Sequence, residues 1–203
     1  MKRREYADPE LVSGYPGVGM TEEDRRKIDE STVELSELMT RPDLLLYATG
    51  QALSATVTRF FATLEELTDE ETALRVAYQM GAKHGAANYG AFLANRGLRG
   101  GPKAFAEYQD YGHAQRGPRH VGACFAEYDE TSVLVKRRDC VYFWGTRGEP
   151  NKFIEALERG MYTEGYPSVD PLWSHTENAH CLCKGSTKGC EHRFVFKKES
   201  DGG

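Results

Sequence analysis

No apolar run in this chain approaches the roughly 18 residues that a membrane-spanning helix needs. Met1-Lys2-Arg3-Arg4-Glu5 leads into polar sequence rather than the apolar core of a signal peptide. The expectation is a cytoplasmic protein with no membrane partner. Excess positive charge is also lacking: the formal net charge is -5, which argues against general nucleic-acid binding, because phosphate neutralisation needs a basic face. The compact basic run Lys136-Arg137-Arg138 is followed directly by Asp139. It reads either as the solvated side of a strand or as an anchor for an anionic substrate. Cysteine is sparse and odd in number, five in all. In a reducing compartment such a set is not a disulfide framework, which leaves metal binding, catalysis or plain burial. Internal repeats and low-complexity segments are absent, and no nucleotide cofactor is expected.

What is present suffices for one core: 203 residues, 39% hydrophobic and 28% charged. Residues 1–20, with Pro9, Pro16, Gly14, Gly17 and Gly19, read as an extended arm, residues 21–198 as a single domain, and 199–203 as a disordered tail. Thr21-Glu22-Glu23-Asp24 opens a first helix with a hydroxyl cap, Ile28, Leu35 and Leu38 forming its apolar face before Pro42 stops it. A second helix is expected over about residues 43–66, with Leu45, Ala48, Ala52, Ala55, Phe60 and Leu64 as its stripe. That stripe suits either the core or a homodimer contact. Thr68 and Glu71 form a capping box ahead of a third helix to about Asn95. Its face carries Leu74, Tyr78, Gly81, Gly85, Tyr89 and Phe92. Glycine costs about 1 kcal/mol at each interior helical site, so the pair at 81 and 85 signals close packing. Either a neighbouring element lies there, or a ligand rests against backbone beside His84, Asn88 and Tyr89.

After a Gly97–Gly101 loop and a short helix through Phe105 and Tyr108, the period changes. Residues 120–128 and 131–141 read as two strands joined at Asp129-Glu130. A helix over about 150–161 follows, with Phe153, Ile154 and Leu157 able to face a sheet, then strands over about 172–181 and 190–198. The sum is α+β: N-terminal helices packed on a small antiparallel sheet, with one helix inserted between two strand pairs.

The last two strands flank the most chemically loaded stretch, Cys181-Leu182-Cys183-Lys184-Gly185-Ser186-Thr187-Lys188-Gly189-Cys190-Glu191-His192, with His180 just ahead. His180, Cys181, Cys183 and Cys190 compose a candidate zinc site, with His192, Cys140 or Glu177 as a further ligand and iron or an iron-sulfur cluster as the less favoured occupant. A C-x-C pair is awkward for one zinc, and alternation on a strand would place His180 and Cys181 on opposite faces unless a turn intervenes. Cys124, without a partner in sequence, reads as buried. Among the lone histidines, His120 beside Arg119 is the candidate exception to a structural role.

Leu67-Thr68-Asp69-Glu70-Glu71-Thr72-Ala73-Leu74 running into a glycine-containing helix, Val135-Lys136-Arg137-Arg138-Asp139-Cys140 at a strand end, and the closing Gly189-Cys190-Glu191-His192-Arg193-Phe194 together resemble the L-2-amino-thiazoline-4-carboxylate hydrolase family over roughly residues 60–198. A more distant similarity is to small-molecule-binding domains of the 4-vinyl reductase type. The chain departs from the pattern at Gly160-Met161, where a further cysteine is usual, and at Val141, where proline is usual. The resemblance implies a protein that opens a cyclic C=N bond in a small carboxylated molecule, or one that only senses such a ligand. For the first, Cys140 is the candidate nucleophile, or else a small buried hydrophobe. Cys190 lies at the floor of the site, His192 or His180 is the acid and base, and Arg138 or Arg193 holds the carboxylate.

Overall fold

The structure, a computed structural model, describes residues 2–3, 21–114, 124–137, 150–180, 184 and 190–198. Thr21 caps helix α1 (Glu22–Asp29) as expected: its Oγ1 accepts from the Asp24 amide at 3.1 Å and its own amide donates to Asp24 Oδ2 at 2.8 Å. The helix does not run on to Pro42. Ser31 takes a left-handed conformation (φ 57°), the chain breaks, and a separate short helix α2 (Leu35–Thr40) follows. Leu35 is consequently 71% exposed rather than part of a continuous apolar face. Pro42 is the first residue of α3 (Pro42–Leu67), where its fixed φ and missing amide cost nothing.

Ile28, Leu44 and Tyr47 form a small core of their own, flanked by Val33, Leu38 and Ala48. Arg41 clamps this corner, its guanidinium donating to both Asp24 oxygens at 3.1 and 3.2 Å. The Thr21 amide and then Arg41 hold the Asp24 carboxyl at about 2, below its ordinary 3.8. A depressed folded value means stability that is present above the ordinary pKa and lost as pH falls towards the folded one. Asp24→Asn is therefore expected to destabilise this corner by about 1 kcal/mol near neutral pH. The gap from wild type should close between about pH 4 and pH 2, measured as urea midpoints across that range. A gap that stays constant down to pH 2 would contradict the assignment.

Helix α4 (Glu70–Arg96) is capped one residue later than the sequence suggests. Asp69 Oδ1 accepts from the Thr72 amide at 2.7 Å, while the Thr68 hydroxyl closes the end of α3 by donating to Leu64 O at 2.7 Å. A carboxylate at the cap suits the helix dipole better than a hydroxyl does. Gly97 in the left-handed region (φ 61°) ends α4, and helix α5 (Pro102–Ala114) follows. Strands β2 (Cys124–Tyr128) and β3 (Ser132–Arg137) form the expected hairpin. Asp129 Oδ1 makes the turn by accepting from the amides of Thr131 and Ser132 at 2.9 and 2.7 Å. Helix α6 (Lys152–Gly160), capped by Asn151, continues without a break into a π-helical turn, Met161–Gly165. Strands β4 (Trp173–His180) and β5 (Cys190–Phe196) complete an antiparallel sheet, joined at the edge by the two-residue β1 (Lys2–Arg3), in the order β1-β2-β3-β5-β4. The architecture is α+β, with helices on one face of the sheet.

Two placements correct the expectation. Phe153, Ile154 and Leu157 of α6 are buried, but α6 packs mainly on α4, with α3 beside it, rather than mainly on the sheet; Phe153 stacks on Phe61 at 5.6 Å. It is α5 and the π-helical turn that cover the sheet. On α3 the inward side carries Leu44, Tyr47, Ser54 and Phe61, while Leu45 and Phe60 are 45% and 55% exposed and Ala52 is also exposed. The expected stripe sits about one residue off, because α3 is apolar on more than one side and periodicity cannot tell which side meets the protein.

Candidate functional site

The expected face of α4 is correct, and its glycines are filled by protein. A Cβ at Gly81 would overlap the Leu157 carbonyl oxygen, and one at Gly160 would overlap that of Tyr78. At Gly85 the neighbours are Met161 and Tyr166. The glycines let α4 and α6 cross backbone against backbone, so the close-packing reading holds and the ligand reading at this place does not.

The three residues expected beside those glycines separate accordingly. His84 and Asn88 lie on the exposed side of α4, joined by a hydrogen bond of 2.9 Å between Asn88 Nδ2 and His84 Nε2. His84 lines an open depression of about 690 Å³ with Arg75, Val76, Gln79, Met80 and Lys83. Tyr89 instead points into the core, fully buried, and its hydroxyl donates to Asp170 Oδ2 at 2.8 Å. Burial first, then the Asp170 carboxylate, push the Tyr89 phenol well above its ordinary pKa, so it stays a proton donor. Asp170 also accepts from the Gly101 and Leu172 amides at 2.9 and 3.0 Å. This pins the Gly97–Gly101 loop to the segment before β4. Between α4 and the sheet there is aromatic core. Phe105 of α5 meets Phe194, Trp173, Tyr166 and Tyr89 at 4.6, 5.0, 5.2 and 5.3 Å between ring centres.

Strand β5 sorts its chemistry by alternation. Cys190, His192, Phe194 and Phe196 are buried against the helices, whereas Glu191, Arg193 and Val195 are only partly covered on the other face. Cys190 and His192 thus share the inner face, as a common site requires. Arg193 does not join them: it lies on the opposite face, donating to Ser132 Oγ at 3.2 Å and standing 3.9 Å from Glu177. His192 is 1% exposed, its ring 5.1 Å from that of Tyr162 and 6.2 Å from that of Phe194. Tyr162 belongs to the π-helical turn, a local widening that often marks functional positions. The Thr176 hydroxyl donates to its carbonyl at 3.4 Å and ties the turn to β4. Sequence reasoning passed over Tyr162 and Asp170, for neither belongs to a motif; the Asp-Pro step at 170–171 was the one available signal for the second.

The sheet register gathers the remaining candidates. Arg137 at the end of β3 pairs with Cys124 at the start of β2 and with Cys190 at the start of β5, and His180 at the end of β4 pairs with Glu191. These four strand termini share one end of the sheet. Each of the five cysteines lies in the sequence at one of them or within three residues of it: Cys124 and Cys190 on the strands, Cys140 beyond Arg137, Cys181 and Cys183 beyond His180. Cys140, Arg138, His120, Cys181 and Cys183 themselves lie outside the described residues, and so does the side chain of His180. Among the described residues no three histidine, cysteine or acidic side chains form a metal-binding group, and Cys190 is buried. No described helix is long and apolar enough to cross a membrane.

The class of protein defined here is an α+β domain whose cysteines lie, in the sequence, on or next to the strand termini at one end of the sheet. No family model and no curated protein matches the chain.

Proposed function

We propose that the protein hydrolyses a cyclic C=N bond in a small carboxylated molecule, at the thiol-rich end of the sheet. The observation that supports this is the convergence of four strand termini, which carry or adjoin all five cysteines, beside an inward-facing His192. In this reading the Cys140 thiolate adds to the ring carbon and the C=N electron pair moves to nitrogen, which takes a proton from the His192 imidazolium. Neutral His192 carries one proton from the exocyclic amino group of an amino-thiazoline to the ring nitrogen as the carbon–nitrogen bond breaks, so the ring opens as a free amine and the carbon stays on sulfur, doubly bonded to the former exocyclic nitrogen. Water then adds to that carbon, one of its protons passing through His192 to this nitrogen, and the adduct collapses: its hydroxyl proton goes to His192, a C=O bond forms, the sulfur leaves as thiolate, and one water has been consumed overall. Cys190 forms the floor. Arg138 holds the carboxylate, since Arg193 faces away.

A second reading has its own support. His180 pairs with Glu191, next to Cys190, and Cys181 and Cys183 follow His180 directly. Zinc held by His180, Cys181, Cys183 and Cys190 would fasten the β4–β5 turn of a domain that recognises its ligand without turning it over.

One experiment separates them. Incubated with 2-amino-thiazoline-4-carboxylate, the wild-type chain is expected to consume the ring, followed by chromatography, while Cys140→Ser abolishes turnover with an unchanged thermal midpoint. Turnover retained in Cys140→Ser would exclude that thiol as nucleophile, and no ring opening by wild type would end the hydrolase reading. About one equivalent of zinc, with a midpoint lowered by chelator, is the outcome expected of the binding domain.

A further inference from the structure

Among the described residues nothing covers one side of helix α3, and the spacing of the residues along that side reads the same from both ends. Leu45, Thr49, Ala52, Thr56, Phe60, Thr63 and Leu67 are all exposed. They follow one another at intervals of four, three, four, four, three and four residues. At 100° per residue all seven fall within a stripe about 80° wide, and at 1.5 Å per residue it is about 33 Å long. The stripe contains no charged residue. Leu53, 63% exposed, and Arg59 border it on opposite sides. On a monomer, six turns of solvated helix without a charge are unusual, since the outward side of an amphipathic helix is normally where charges collect.

The order of residue types is what identifies the occupant. Reflected about Thr56, Leu45 exchanges with Leu67, Thr49 with Thr63, and Ala52 with Phe60. Two such helices laid antiparallel around a two-fold axis at Thr56 put leucine on leucine at the ends and threonine on threonine further in. The ring of Phe60 falls over the small Ala52 of the other copy. An isologous contact demands this reciprocity, residue i on j and j on i. Thr56, the one residue that meets itself, donates its hydroxyl to its own helix at Ala52 O, 2.8 Å. The side chain can therefore be covered without stranding a hydroxyl proton.

We infer that α3 is the seam of a two-fold symmetric homodimer, formed by antiparallel self-pairing of this uncharged face about Thr56. A helix face of this length buries on the order of 1,000 Å² over both copies, near the lower bound for a specific interface. An interface of that size suits a reversible dimer rather than a permanent one. The inference is independent of the chemistry assigned to the thiol-rich sheet end.

Sedimentation velocity of the full chain, from about 1 to about 100 µM, is expected to show the mean mass rising towards twice that of one chain. Thr56→Arg sets two cations against each other on the axis and should weaken association at least about tenfold. Its side chain is exposed, so the thermal midpoint of the monomer should be unchanged. Orientation is read with a short bis-maleimide, wild type giving the background from native thiols. Thr56→Cys should cross-link to itself, and Thr49→Cys to Thr63→Cys only when the two proteins are mixed. A monomer throughout the range, association unchanged in Thr56→Arg, or Thr49→Cys cross-linking to itself as a parallel pair would each overturn the proposal.

Discussion

Gly160→Ala should lower the unfolding free energy by about 3 kcal/mol or more. In an isolated helix the same change stabilises by roughly 1 kcal/mol, so the sign of the effect decides whether propensity or packing governs this residue. Packing wins because the methyl would overlap the carbonyl oxygen of Tyr78 and stand 2.9 Å from the amide of Ala82. Both are main-chain atoms inside a helix, and no rotamer moves them aside. The α4 and α6 helices would have to part, loosening Phe153, Leu157 and Tyr162 together. Gly81→Ala should cost a similar amount, its methyl overlapping Leu157 O. The double variant should cost much less than the sum, for helices already parted by one methyl have room for the other. Gly112→Ala is the control. That glycine lies in α5 with nothing within 4 Å of an added Cβ, so the propensity gain should appear. Urea titration of all four proteins gives the test, and a stabilised Gly160→Ala would refute the crossing.

Phe105→Ala should cost about 3–5 kcal/mol, a large share of the roughly 5–15 kcal/mol that holds a domain of this size. The ring is fully buried at the meeting point of α4, α5, the π-helical turn and the sheet, edge-on to Tyr89 and Trp173 and tilted on Phe194. Removing it opens a hole walled by other rings, which cannot collapse without moving whole elements. Phe105→Leu, which keeps most of the volume, should lose far less. Phe194 is two residues from His192 on the same face of β5, so the hole also loosens the support of that imidazole. Near-UV circular dichroism reports Trp173 and the tyrosines, and denaturant melts give the energy. An alanine variant as stable as wild type would mean that Phe105 is not the hub of this core.

The legible part of the fold was the part written in local chemistry. Thr21 as a cap, the Asp129 turn and the change from helical to alternating period all act within a few residues, and together they gave the α+β class and the helix between two strand pairs. Local signals failed where two neighbours compete. Thr68 and Asp69 could each cap α4, and the carboxylate won. Residues 28–38 have a usable apolar period, but Ser31 breaks it into two helices. The glycine pair announced close packing without naming what packs there.

The sequence by itself determined the element types, most of their ends, and the clustering of thiols near strand ends. Tertiary structure decided that β5 lies between β3 and β4, which brings Cys190 into register with Arg137 and Cys124. It also decided that Arg193 faces away from His192's side, and that His84 and Asn88 remain outside while Tyr89 is enclosed. The reason is the range of the forces involved. Caps, turns and periodicity are settled by neighbours in the chain, whereas the choice of strand partner, and of which apolar side of a helix is covered, is settled by which arrangement removes most apolar surface from water. That quantity depends on every element at once.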